Sequence, residues 1–276
     1  MHPDLNTLPS LKTTVDAYRL LAKKSLGQNF LLDQNITDKI VRVSLDKQGL
    51  KDFDNQFITE IGPGPGGLTR AILKQNPKKL TVIEMDDRCI LIMNDIKQVV
   101  KDQLEIINGD ALKTEITEGH IISNLPYNIS VPLLIRWLTN ISQYQSLTLM
   151  FQREVAERIM APINTKDYGR ISILTQLQCQ IDKLFDISPE CFTPAPKIWS
   201  TVLLFRPLEK TLTPTQIQKL EKLTSMAFNQ RRKMIRQSLK SIPNLDAICQ
   251  KIGIESTYRP EQITPKQFIT IAELAF

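Results

Sequence analysis

From about residue 57 the chain alternates short apolar runs with amphipathic stretches. The runs at 57–62, 80–86, 104–110, 120–126 and 147–152 each read as a buried strand ending in polar residues. Helical patterns lie at 67–76 and 129–140. That rhythm predicts βαβ units and a mainly parallel sheet, an α/β fold. Residues 171–187 and 199–207 read as further strands, the second returning antiparallel in an edge hairpin.

After Arg206-Pro207 the period becomes helical. A helix is expected across 212–242, with Thr213 as N-cap, Pro214 at the first helical position and Pro243 ending the region. A second helix closes at Gly253, and a third starts after Thr264-Pro265. The expected division is an extension over 1–22, a catalytic α/β domain over 23–206 and a small all-helical domain over 207–276.

Composition narrows the class. A chain of 276 residues with 42% hydrophobic residues can bury a substantial core. A net charge of +6 is compatible with a nucleic-acid partner. Cys89, Cys179, Cys191 and Cys249 are far apart, and the only histidines are His2 and His120, so neither a metal site nor a disulfide framework is expected. No apolar stretch suits a secretion signal or a membrane span, so a cytoplasmic protein without a membrane partner is expected.

Candidate chemistry begins with Glu60-Ile61-Gly62-Pro63-Gly64-Pro65-Gly66-Gly67, a glycine-rich turn between a strand and a helix. Such a loop lets backbone approach a ligand and suits NAD, FAD or S-adenosylmethionine alike. Glu84 ends the next strand, where a carboxylate can accept from both ribose hydroxyls. Asp110 ends the one after and can accept from an adenine amine. Asn124-Leu125-Pro126-Tyr127 chooses among the cofactors. An adenine N6 amine is a poor nucleophile because its lone pair is delocalised into the ring. An amide oxygen from Asn124 and a carbonyl of Pro126 or Leu125, each accepting one N–H, would draw that nitrogen toward tetrahedral geometry, and Tyr127 offers a ring for the base. Phe192, in a proline-stiffened loop, is the candidate for a second stacking face.

The segments Lys24-Ser25-Leu26-Gly27-Gln28-Asn29-Phe30-Leu31, Glu60-Ile61-Gly62-Pro63-Gly64, Asn124-Leu125-Pro126-Tyr127-Asn128-Ile129-Ser130, Phe151-Gln152-Arg153-Glu154-Val155-Ala156 and Phe192-Thr193-Pro194-Ala195-Pro196 together resemble the small-subunit ribosomal RNA adenine dimethyltransferase family. The resemblance runs from about residue 18 to the C-terminus. It implies a Rossmann-like class I methyltransferase domain with a seven-stranded sheet, followed by a helical domain. It also implies S-adenosylmethionine as cofactor and dimethylation of two adjacent adenosines in a loop near the 3′ end of small-subunit ribosomal RNA. The implied partner is the assembling small ribosomal subunit, met by a monomer. Asn29 and Leu31 would cover the cofactor, with Gly62, Glu84, Asp110 and Asn124 completing its site. The chain has Ile198-Trp199-Ser200 after Lys197, where a valine is commoner at the first place; a change of packing is expected there.

Arg231, Arg232, Lys233, Arg236 and Lys240 crowd ten positions. On a continuous helix, 232, 236 and 240 share a face beside the apolar Ile235 and Leu239, an arrangement suited to phosphate contact. Lys23, Lys24, Arg153, Arg158 and Arg170 could form a second basic surface, although Arg153 and Arg158 could instead pair with Glu154 and Glu157. The rival readings are a large-subunit ribosomal RNA adenine methyltransferase of the antibiotic-resistance type, a non-catalytic nucleic-acid-binding assembly or transcription factor and, weakest, an NAD oxidoreductase.

Overall fold

The computed structural model describes residues 3–23 and 27–276, apart from the side chains of residues 3 and 4. The strands are β1 (Phe30–Leu31), β2 (Phe57–Ile61), β3 (Lys79–Glu84), β4 (Leu104–Asn108), β5 (Gly119–Ser123), β6 (Tyr144–Gln152), β7 (Cys179–Ile187), β8 (Phe192–Thr193) and β9 (Ser200–Pro207). The helices are α1 (Leu11–Ala17), α2 (Gln34–Gln48), α3 (Gly67–Leu73), α4 (Asp87–Val100), α5 (Tyr127–Thr139), α6 (Arg153–Met160) and α7 (Arg170–Gln178). They continue with α8 (Pro214–Asn229), α9 (Ile235–Ser238), α10 (Leu245–Lys251) and α11 (Pro265–Ala275).

Seven strands form one sheet in the order β4-β3-β2-β5-β6-β9-β7, a Rossmann-like α/β arrangement. Pairings among β2, β3, β4, β5 and β6 are parallel, and β9 runs antiparallel to β6. The strand at 199–207 is antiparallel as expected, but it lies inside the sheet; β7 takes the edge. The chain winds outward from β2 to β4 and then returns to place β5 on the other side of β2. Open α/β sheets bind ligands where the order reverses, beyond the carboxyl ends of the strands. Here the loops after β2 and β5 meet at that point, and the Ser123 hydroxyl donates to the Ile61 carbonyl at 2.6 Å to tie the two strand ends together.

Two compact units are present. The first contains residues up to 134 with 143–153 and 182–206, and holds the sheet. Its described residues from 5 to 20 are packed against the rest of the unit. Ser10 caps α1, Arg70 of α3 donates to the Pro9 carbonyl at 2.6 Å and to the Thr14 hydroxyl at 3.3 Å, and the Tyr18 hydroxyl bonds Asp95 of α4. Leu5, Leu11 and Leu20 are buried there.

The second unit is helical and combines 135–142, 154–181 and 207–276. Residues 171–178, expected as strand, form α7. Their apolar positions fit either period, and Ser172 decides locally: its hydroxyl accepts from the Gly169 N–H at 3.1 Å and donates to the Arg158 carbonyl at 2.6 Å, fixing a helix start. The capping boxes Thr213–Gln216 and Thr264–Gln267 begin α8 and α11 where expected, with Pro214 and Pro265 at their first positions. Gly253 takes positive φ just beyond α10. The single long helix expected over 212–242 stops at Asn229. The Arg231 guanidinium donates to the carbonyls of Thr165 and Tyr168 at 3.1 and 2.8 Å. Beyond it the N–H groups of Ile235 and Arg236 bond the carbonyls of Tyr258 and Ser256 instead of a preceding turn. No helix among the described residues is long and apolar enough to cross a membrane.

Candidate active site

Gly62, Gly64 and Gly66 all take positive φ in the turn from β2 to α3, a conformation that side chains resist. At Gly64 a Cβ would also stand 3.1 Å from the Phe30 ring. The turn forms one wall of a cavity of about 300 Å³, within the range of small-ligand sites. Asn29 and Leu31 line it from the N-terminal segment, Glu84 from the end of β3, Asp110 from beyond β4, and Asn124 to Tyr127 from beyond β5. Asn29, Leu31, Gly62, Glu84, Asp110, Asn124, Pro126 and Tyr127 are thus brought together.

The electrostatics of this cavity are one-sided. Glu60, Glu84 and Asp110 line it, and among the described residues no lysine, arginine or histidine does. Glu60 is only 1% exposed; burial pushes its carboxyl up to about 8, although the Thr69 hydroxyl donates to it at 2.7 Å. Burial also raises Glu84, against the N–H groups of Asp86, Met85 and Gly64, which favour its ionised form. The Asp110 carboxylate accepts from the Leu112 N–H at 2.9 Å.

Asn124 has its amide oriented by the backbone. Its Nδ2 donates to the Asn29 carbonyl at 3.4 Å, leaving Oδ1 as the acceptor for a ligand. The Pro126 carbonyl accepts the Ile129 N–H at 3.1 Å as α5 begins. Of the two carbonyls considered for an amine, that of Pro126 therefore already serves the helix. The Tyr127 hydroxyl bonds that of Ser200 at 2.7 Å, fixing the ring; burial raises its pKa.

A second cavity, of about 590 Å³, shares Gly27, Gln28, Asn29 and Tyr127 with the first. Its other walls are Ala22, Gln152, Pro194, Pro196, Lys197 and Ile198. Phe192, expected to face a base, lines neither cavity. It sits opposite Leu31 in the β1–β8 pair, 3% exposed, as part of the core. The register turns the ring inward; only the proline loop after it reaches the second cavity.

The model of the family described as ribosomal RNA adenine dimethylase matches residues 19–275. The chain belongs to that family. A curated relative from Rhodospirillum rubrum, named ribosomal RNA small subunit methyltransferase A, is 42% identical over 96% of this chain and 92% of its own. A dimethyladenosine transferase from Plasmodium falciparum is similar in structure, with a TM-score of 0.73 at 25% identity, covering 87% of this chain and 94% of its own. The 23S rRNA methyltransferase ErmE shares the fold, with a TM-score of 0.66 at 21% identity over 90% and 99% of the two chains.

In this member of the family, Asp86 lines neither cavity but is a positioning residue beside them that sequence reasoning passed over. Its carboxylate accepts from Arg88 at 2.6 and 3.0 Å, from Gln28 at 3.1 Å and from Lys23 at 3.4 Å, while Arg88 also holds the Leu21 carbonyl at 3.0 Å. Arg88 foremost keeps Asp86 well below the usual carboxylate range. This node fastens the segment leading to Asn29 beside Glu84. Its partners are far apart in sequence, so no local signal announces it. Glu60, by contrast, had a signal: it is the last acidic residue before the glycine turn.

The basic cluster is divided. Arg231 is bound to backbone carbonyls, whereas Arg232, Lys233, Arg236 and Lys240 are exposed and lie on no common helix. Lys24 lies outside the described residues. Arg153 pairs with Asp186 of β7 at 3.6 Å. Among the described residues no group of three His, Cys, Asp or Glu could hold a metal.

Proposed function

We propose that the first cavity holds S-adenosylmethionine and that the second receives an adenine turned out of small-subunit ribosomal RNA. The protein thereby methylates the adenine N6 amine, and the family resemblance extends the reading to dimethylation of two adjacent adenosines near the 3′ end. The observation that carries this reading is the cofactor cavity lined by the acids Glu84 and Asp110, with Glu60 held protonated, and by no lysine, arginine or histidine among the described residues. A sulfonium fits such a lining, whereas the pyrophosphate of a dinucleotide would be repelled by it. Bound there, S-adenosylmethionine supplies an electrophilic methyl group.

The remaining work falls to the chain. Glu84 is placed for the ribose hydroxyls, Asp110 for the adenine amine of the cofactor, and Asn29 and Leu31 cover it. Asn124 Oδ1 and the Leu125 carbonyl each accept one N–H of the target amine, aiming its lone pair at the first cavity. The Tyr127 ring, common to both cavities, supports the turned-out base. Positioning of this kind can take on the order of 7–11 kcal/mol off the barrier, so no strong base is required. Leaving the RNA stack costs a few kcal/mol, and stacking on Tyr127 returns roughly 1–3 kcal/mol.

Labelled S-adenosylmethionine, small-subunit particles lacking the modification and the purified protein should give methyl groups that primer extension maps to adjacent adenosines. Transfer to neither particles nor naked RNA would overturn the proposal. Transfer to large-subunit RNA alone would select the resistance-type activity.

A further inference from the structure

The second cavity has an apolar rim that the proposed reaction does not use. Leu21 is 79% exposed, and its neighbour Ala22 lines the cavity. On the proline-loop side, Ile198 lines it and is 38% exposed, and Trp199 is 45% exposed. An indole this open to water costs free energy unless something covers it.

The rim is also held in place. The Trp199 carbonyl accepts the Arg153 N–H at 2.9 Å, and the next residue, Ser200, pairs with Gln152 in the sheet and bonds the Tyr127 hydroxyl. Across the cavity, Arg88 fixes the Leu21 carbonyl. Lys197, exposed beside Ile198, offers a cation where a nucleic-acid backbone would enter. An exposed aromatic side chain on a fixed backbone, next in the chain to a cation and an apolar residue of the cavity wall, is the combination by which single-stranded nucleic acid is gripped without reading its sequence.

We propose that Trp199, with Ile198, forms a stacking platform for an RNA base flanking the target adenine. This rests on the second cavity being the RNA side of the site. Trp199 touches neither the amine nor the cofactor in this arrangement; it holds the strand while Asn124 and Tyr127 act on the neighbouring nucleotide. Chemistry at the amine and grip on its surroundings are thereby assigned to different residues.

Tryptophan emission tests the assignment, because the other tryptophan, Trp137, is 2% exposed. Titration with unmethylated small-subunit particles, or with a purine-rich single-stranded RNA, should quench the wild type strongly and Trp199→Phe hardly at all. Trp199→Ala should weaken RNA binding by roughly 5- to 150-fold, the range for loss of one stacked base, while Trp199→Phe retains most of the affinity. In methylation assays the alanine variant should raise the KM for RNA by a similar factor, with kcat within about twofold and cofactor affinity unchanged. RNA binding without quenching in the wild type, or equal RNA affinity in wild type and alanine variant, would overturn the platform. A drop in cofactor affinity or melting temperature matching the loss of RNA binding would do so as well. Absence of methyl transfer by the wild type would defeat the proposed reaction instead, and the quenching titration would still report on Trp199.

Discussion

Glu60 offers a test of the cavity that needs neither cofactor nor RNA. Its carboxyl is buried, bonds Thr69 and titrates near 8, against an ordinary value of 4.5. The folded protein therefore keeps a proton there that the unfolded chain loses above about pH 4.5. Stability from this group is complete below that pH and is lost as pH rises toward 8. At about 1.4 kcal/mol per pH unit, the whole window is worth up to about 5 kcal/mol. Glu60→Gln accepts the same Thr69 bond, cannot ionise and so removes the slope. Urea unfolding of both proteins, followed by circular dichroism in steps from pH 5 to 8.5, measures the difference. The glutamine variant should gain several kcal/mol on the wild type across that range, with most of the gain between pH 5 and 8. Glu84, whose pKa burial also raises, is common to both and largely cancels. Parallel stability curves would refute the argument, because Glu60 would then be either hydrated or already ionised in the folded state.

Three further outcomes follow from the geometry. Asn124→Ala should reduce methyl transfer by at least two orders of magnitude while RNA affinity, read by filter binding, stays within about twofold; equal loss of both would deny Asn124 its role at the amine. Phe192→Ala should cost about 3–5 kcal/mol of stability as a core truncation, whereas Phe192→Leu should methylate within a few-fold of wild type. A leucine variant of normal melting temperature and less than a hundredth of the activity would return that ring to the base. Arg231→Ala should lower stability by about 1–3 kcal/mol through its two carbonyl bonds and leave the salt dependence of RNA binding unchanged, while reversing the exposed Arg232 and Arg236 should flatten that dependence.

The legible parts of the molecule are those whose causes are local. Strands β2 to β6 carry their burial in continuous apolar runs, the glycine turn its backbone need in residue type, and α8 and α11 their starts in Thr-Pro pairs with a glutamine two residues after the proline. Where a distant partner decides, sequence reading went astray. The helix expected to carry Arg232, Arg236 and Lys240 on one face is broken by bonds to Thr165, Tyr168, Ser256 and Tyr258. Phe192 faces inward because of its register against Leu31, a residue from near the start of the chain. Glu84 was visible as a strand-ending acid, yet Asp86 two residues on takes its meaning from Gln28 and Lys23.

The unbalanced charge of the cofactor cavity also bears on turnover. On the proposed cofactor assignment, Glu84 and Asp110 hold their negative field whether or not a reaction has taken place, while the buried Glu60 keeps its proton. A ligand that arrives as a sulfonium and departs as a thioether gives up one positive charge to the methylated product. The acids that draw it in have less hold on what remains. Two methylations of one amine consume two cofactor molecules, and on the proposed assignment the spent one is the weaker competitor for the cavity at the exchange between them.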